Sequence, residues 1–204
     1  MKYSSKIIED AVHSLSQLPS VGKKSALRLV LHLVKEGNKV EDIIHSLRHL
    51  KDDLKQCKEC YNLSDHEICA ICSDVNRNKK TICVVETIRD VMAIEDTAHY
   101  DGLYHVLGGV ISPLEGIDAD QLRIEELLER IKVNGVEEVI MGISPTIEGD
   151  TTIFYLSKRL KETAVKISML SRGVAFGGDL EYTDELTLGR SILARVPYSH
   201  SLAE

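Results

Sequence analysis

Cys57-Lys58-Glu59-Cys60, then eight residues, then Cys69-Ala70-Ile71-Cys72: this stretch decides how the chain is read. Each Cys-x-x-Cys pair turns back on itself and aims two sulfurs at one point. Two such turns facing each other form the tetrahedral four-thiolate cage that Zn²⁺ favours, with Zn–S distances of about 2.3 Å. A pair of disulfides, or a redox Cys-x-x-Cys, is the competing chemistry. Against it, the opening MKYSSKIIED lacks the apolar run of a secretory signal, and a fifth cysteine, Cys83, would be left odd. The gap between the pairs is shorter than the ~15–20 residues of zinc ribbons, which predicts a compact knuckle over 57–72. Four sulfurs close the coordination shell. One structural zinc per chain is therefore expected, and the function is expected in what flanks it.

With 204 residues, 43% of them hydrophobic, the chain can bury a real core and hold two or three small modules. No segment approaches the ~20 apolar residues of a membrane span, so a soluble, cytoplasmic protein without membrane partners is expected. The net charge of −7 argues against a surface that binds nucleic acid all over. The charge is uneven, however. Residues 1–56 hold 10 Lys and Arg against 7 Asp and Glu, whereas residues 57–204 hold 15 against 25. Aromatic residues are only 4% and tryptophan is absent, so base stacking is not expected to be the main mode of nucleic-acid binding.

Before the cysteines the apolar rhythm is helical. Ile7, Ile8, Val12 and Leu15 form one stripe. Ala26, Leu27, Leu29, Val30, Leu31 and Leu33 form a second, ending near Gly37, and Val40, Ile43, Ile44, Leu47, Leu50 and Leu54 form a third. After the cysteines, Thr81–Val85, Tyr104–Leu107, Glu138–Ile143 and Val165–Leu170 read as short buried strands. Helical stretches separate them at about 88–97, 120–134 and 151–162. Strands alternating with helices predict right-handed crossovers and a parallel sheet covered on both faces. The tail has a glycine-rich turn (Gly173, Gly177, Gly178) and a helix predicted from about Asp184.

Between the first two helical stripes, Leu18-Pro-Ser-Val-Gly22-Lys23-Lys24-Ser25-Ala26 has the layout of a helix-hairpin-helix. Its chemistry is that of an anion site. A tight hairpin exposes backbone N–H groups, the next helix begins there with its positive dipole end, and Lys23, Lys24 and Arg28 add charge. Such a loop grips phosphates without reading bases, so DNA binding would be sequence-independent. The competing reading is an ordinary helical turn with solvated lysines. Ser20 stands where the usual hairpin has its first glycine, which predicts either a reshaped loop or a role for the serine hydroxyl.

Glu86 ends the first strand, and Glu148-Gly-Asp150 follows the third. The C-terminal strand ends of a parallel sheet converge on one edge, so these carboxylates are expected to meet there. Clustered acids raise one another's pKa unless a cation joins them, and Mg²⁺, held weakly at most, is the natural candidate. The alternative is a set of acids along a solvated loop. A strand-end Glu plus a later acid-x-acid pair is the pattern of the Toprim domain of topoisomerases, primases and some nucleases. Here Glu148 replaces the usual Asp, and the longer side chain argues against catalytic metal geometry.

Helix-hairpin-helix, four-cysteine knuckle and Toprim-like unit, in this order, resemble the RecR family of bacterial recombination mediators over essentially the whole chain. Ile82-Cys-Val-Val-Glu86, the Ser144-Pro-Thr-Ile-Glu-Gly-Asp-Thr151 loop and the tail Arg172-Gly-Val-Ala-Phe-Gly-Gly-Asp-Leu-Glu-Tyr182 carry the likeness. The expected architecture is an α/β multi-module chain: a helical DNA-binding module over 1–56, the zinc knuckle over 57–72, a parallel α/β Toprim domain over 80–171, and a helical tail over 172–204. The resemblance implies a repair protein that is not an enzyme and binds single- and double-stranded DNA as a ring-like homo-oligomer, a tetramer built from dimers. It further implies that RecO, and also RecF, act with it to load RecA on single-stranded DNA. The acidic tail residues Asp179, Glu181, Asp184 and Glu185 are similar to a Walker-B-like segment. No Gly-x4-Gly-Lys-Ser/Thr loop accompanies them, so packing is their expected role. The runner-up is a metal-dependent Toprim enzyme, nuclease or primase-like. The lack of a separate nucleophile module weakens it.

Outside these motifs, Cys83, mid-strand, is expected to be an inert core thiol. His66 lies between the cysteine pairs but is superfluous to a four-sulfur site. His45 and His49 stand one helical turn apart and could share a metal; a solvated face is expected instead, for want of an evident carboxylate partner.

Overall fold

The computed structural model describes residue 3, residues 5–175 and residues 177–197. Residues 1, 2 and 4 of the expected first module, and Phe176 and residues 198–204 of the expected tail, lie outside the described residues. The chain divides into two units, 1–54 and 55–204.

The first unit is helical: α1 (Lys6–Leu15), α2 (Lys23–Lys35) and α3 (Gly37–Asp52). Val12, Ala26 and Val30 form its buried core, flanked by Ile8, Leu15 and Leu27. Ala26 is fully buried, and its small side chain lets α1 and α2 close on each other. The third stripe behaves differently from its apolar rhythm. No residue of α3 is buried, and Leu47 and Leu50 are each 58% exposed. Two short helices that pack on one another have little surface left to cover a third.

The second unit opens with a two-stranded hairpin, β1 (Lys55–Gln56) and β2 (Leu63–Ser64), and a short helix α4 (Ala70–Ser73). There follow β3 (Asn78–Val85), α5 (Ile88–Glu95), β4 (Gly102–Val106), α6 (Ile124–Asn134), β5 (Glu138–Gly142), α7 (Ile147–Leu160), β6 (Lys166–Met169) and α8 (Glu185–Leu193). The last four strands make one parallel sheet in the order β4-β3-β5-β6. All four expected strands are present, with ends shifted by a few residues.

Alternation along the buried end of β3 explains why residues 82–85 are apolar throughout. Ile82 and Val84 join Leu127, Ile131, Leu156 and Leu160 of α6 and α7 in the larger core. Cys83 and Val85 join Val91 of α5 with Tyr104 and Val106 in the other. A strand covered on both faces has no polar side to show.

Two helix starts differ from expectation. The helix predicted from 120 begins at Ile124, after a 3₁₀ turn over Ala119–Gln121 capped by Asp118. It ends on Gly135, whose φ of 59° is the left-handed cap. The helix predicted from 151 begins at Ile147, because Thr146 Oγ1 accepts the Gly149 N–H at 3.0 Å and starts the helix earlier. At Gly149 a Cβ would lie 2.1 Å from the Ser144 carbonyl oxygen, so only glycine lets α7 approach the end of β5 so closely.

Candidate functional site

Cys57 lies just after β1 and Cys60 in the hairpin turn, while Cys69 caps α4 and Cys72 lies within it. All four thiols are free and buried, and their sulfurs lie within 4.8 Å of one another. Cys60 and Cys69 sulfurs are 3.5 Å apart. Tetrahedral zinc with Zn–S of about 2.3 Å needs sulfurs about 3.8 Å apart, so the cage fits one Zn²⁺. Backbone N–H groups already face the sulfurs: Cys69 N–H donates to Cys57 Sγ at 3.3 Å and Cys72 N–H to Cys69 Sγ at 3.4 Å. Hydrogen bonds from the Cys60 and Cys72 thiols hold Cys69 far below the ordinary thiol range, down to about 2. Its hydrogen-bonded charge pushes Cys60 up to about 12, and Cys72 is driven upward by Cys60, Cys69 and burial. Four thiols this close can all ionise only around a cation, and Zn²⁺ supplies that charge.

Arg130 is the residue that sequence reasoning missed. It projects from α6, its side chain is 6% exposed, and its Nη2 donates to Cys72 Sγ at 3.6 Å. Its Nη1 donates to the Tyr104 carbonyl at 2.6 Å, and Glu59 lies 3.9 Å away. A zinc with four thiolates carries excess negative charge, and the buried guanidinium offsets part of it. The sole sequence signal was an arginine three residues after Leu127, at the margin of the apolar stripe of α6. Further bonds lock the knuckle on the sheet. Val106 N–H donates to the Cys60 carbonyl at 2.9 Å, and the Arg123 guanidinium stacks over Tyr61 at 4.1 Å while donating to Gln56. His105, fully buried beneath, faces Tyr61 edge-on and donates its Nε2–H to the Arg123 carbonyl at 2.7 Å.

In the helical unit the hairpin runs from Leu18 to Gly22. Val21 N–H bonds the Leu18 carbonyl, and Ser20 itself takes the left-handed conformation, with φ of 65°. The loop is therefore not reshaped around the missing glycine. Gly22 starts α2 without a side-chain cap, and the first turn holds no acid. Lys23, Lys24 and Arg28 are exposed, and among the described residues none of them enters an ion pair. Lys24 and Arg28 stand one turn apart on one face. Uncapped N–H groups, a positive helix end and three free cations suit a phosphate.

The acids stand at the C-terminal end of the sheet, where the crossovers diverge between β3 and β5. They do not form a joint cage. Among the described residues only the four cysteines bring three or more ligand atoms within 4.8 Å. Glu86 Oε1 accepts the Ser144 N–H at 2.6 Å, tying the end of β3 to that of β5. Glu148 and Asp150 fall in the first turn of α7, two positions apart, and so point to different sides of it. Asp150 pairs with Arg172 at 2.5 Å and with Arg190 of α8 at 3.9 Å. Beside them a cleft of about 470 Å³ is lined by Ser144, Leu170, Arg172, Leu186 and Arg190. In the acidic tail, Asp184 Oδ1 caps α8 by accepting the Thr187 N–H at 2.8 Å, which holds its carboxyl below the usual range.

Cys83 is 2% exposed and burial pushes its thiol up to about 12, which makes it unreactive. His66 is exposed, and its backbone N–H bonds Ser64 Oγ.

Comparison with known families matches four models in order. They are the RecR helix-hairpin-helix over 8–50, the RecR four-cysteine zinc finger domain over 54–74, a Toprim domain over 80–171 and the RecR C-terminal region over 173–196. The chain is 53% identical over 197 residues to the recombination protein RecR of Cytophaga hutchinsonii, covering 96% of each chain. It is 52% identical over 199 residues to those of Flavobacterium johnsoniae, covering 97% of each chain, and of Amoebophilus asiaticus, covering 97% of this chain and all of the relative.

Proposed function

The chain belongs to the RecR family, and from that premise we propose that it is a non-enzymatic DNA-binding mediator of recombinational repair. It holds single- and double-stranded DNA without regard to sequence, through Lys23, Lys24 and Arg28. Acting in the cytoplasm with RecO, and also RecF, it helps load RecA on single-stranded DNA. One observation carries the DNA-binding reading: an uncapped helix start beside three exposed cations with no acid in that turn. The modules divide the work, with 1–56 gripping DNA, the knuckle over 57–72 stabilising, the Toprim domain over 80–171 recruiting partners, and the tail over 172–204 packing.

The working form is a homo-oligomer, a tetramer built from dimers. The first unit supports this with an open apolar groove of about 570 Å³ lined by Ile7, Ile8, Leu15, Leu33, Val34 and Ile43. A single chain leaves Val34 69% exposed there, and covering such side chains contributes roughly 1.5–3 kcal/mol each. Linking several hairpins makes later phosphate contacts intramolecular, which raises avidity by roughly 10²–10⁴.

Three observations support a role without turnover. Arg172 already neutralises Asp150, and Glu86 is engaged by a backbone N–H. The zinc shell is closed by four sulfurs.

The test is DNA binding by a Lys23→Ala/Lys24→Ala/Arg28→Ala variant. It should weaken binding to all sequences alike and flatten the salt dependence by about one unit of slope per lost phosphate contact. Binding equal to the parent at moderate salt would move the grip elsewhere. Mg²⁺-dependent DNA nicking that disappears in Glu148→Ala would overturn the non-enzymatic reading.

A further inference from the structure

His45 and His49 lie on the exposed side of α3, and the carboxylate partner not evident in the sequence is present. Asp53 Oδ2 lies 2.5 Å from His49 Nδ1. The two Nε2 atoms, one from each ring, approach to 3.2 Å, with ring centroids 4.3 Å apart. The bond to Asp53 places the His49 proton on Nδ1 and turns the Nε2 lone pair toward His45. Metal–imidazole distances of about 2.0–2.1 Å, at tetrahedral to right angles, bring the two nitrogens to about 2.9–3.4 Å. The observed separation falls within that range. A carboxylate behind a ligating histidine is the arrangement that fixes its tautomer and raises its basicity.

We propose that His45 and His49 form a second metal site, separate from the knuckle, that takes a divalent transition ion of the zinc, nickel or copper type. Both Nε2 atoms are the ligands, and Asp53 is a positioning residue that holds the His49 ring. Without an ion, His45 donates its Nε2–H to His49 Nε2. On binding, His45 changes tautomer: its Nε2 proton is lost to solvent, Nδ1 takes one up, and the ring stays neutral. Glu41 stands one turn before His45 on the same stripe. The site differs in kind from the knuckle. Its two protein ligands are exposed and leave open coordination positions, so the ion exchanges with solvent. At 100° per residue, His45 and His49 lie opposite Ile43, Leu47 and Leu50, so covering the apolar stripe leaves the pair accessible.

Equilibrium dialysis of the full chain, knuckle loaded, against Zn²⁺ alone tests this. The parent should retain a second equivalent beyond that of the knuckle. His45→Ala and His49→Ala should each lose the second equivalent and keep the first, whose retention reports an intact fold. Asp53→Asn should weaken the second site roughly tenfold, while Asp52→Asn should not. Long-range ¹H–¹⁵N spectra of the parent should show His49 protonated at Nδ1 and metal-bound at Nε2. A parent that stops at one equivalent, or a second equivalent that survives in the His45→Ala/His49→Ala variant, would overturn the site.

Discussion

Ser20 holds a φ of 65° at the turn of the hairpin, a region that a side chain with a Cβ enters at a cost of roughly 1–2 kcal/mol. Ser20→Gly is expected to raise stability by about 1 kcal/mol, read as a higher urea midpoint, without weakening DNA binding. An unchanged midpoint would mean that the serine hydroxyl compensates for the strain. His105 supplies a pH signature. Burial pushes its pKa down to about 4 from an ordinary 6.5, and its Nδ1 has no partner among the described residues. The folded state therefore refuses a proton that the unfolded chain accepts. Its contribution is complete above pH 6.5 and is lost as pH falls toward 4, by about 3 kcal/mol in all. Denaturation midpoints measured across that window should fall with pH in the parent, and the slope should flatten in His105→Leu. At Arg130, replacement by Leu leaves Cys72 without its buried cation and is expected to destabilise the fold by about 3 kcal/mol. Zinc release to a chelator should be faster than in the parent. The cysteine ligands were legible because their spacing is itself the signal. Arg130 was not, since its partner lies 58 residues away and no local pattern joins them.

Among the elements, β4 and the buried ends of β3 and β5 were legible for a plain reason: strand segments covered on both faces read as near-continuous apolar runs, whereas β6 is mostly exposed. The start of α7 was not. Thr146 caps it without a Glu or Gln at the third helical position, so the usual paired signature is missing. That same start explains why Glu148 and Asp150 failed to meet Glu86, for acids on a helical turn diverge where acids on a loop can converge. Gly149→Ala would push a methyl group into the Ser144 carbonyl and separate α7 from β5. A loss of about 1–3 kcal/mol is expected, and an unchanged melting temperature would contradict the packing. The apolar stripe of α3 was read correctly as amphipathic. Periodicity reveals an apolar face but not whether its cover comes from the same chain.

The whole molecule has more apolar helical surface than one chain covers, which gives the assembly prediction its measurement. Light scattering at tens of micromolar should find a mass well above the 22.7 kDa of one chain, and Val34→Glu with Leu47→Glu should reduce it. A strictly monomeric parent, with and without DNA, would contradict the ring. At one edge of the parallel sheet, β4 has no strand beyond it among the described residues, yet all five of its residues are buried, and the knuckle bonds to its end through the Cys60 carbonyl. Outermost strands with unpaired backbone groups are templates for aggregation, and proteins blunt them with lysines or with a covering loop. β6, at the opposite side, begins with the exposed Lys166. β4, by contrast, has the metal-dependent knuckle. By holding the knuckle against the end of β4, zinc is expected to help guard that edge against pairing with another chain. Removing zinc should produce sheet-joined polymers before the parallel core melts, read as light scattering that rises while the circular dichroism stays native-like.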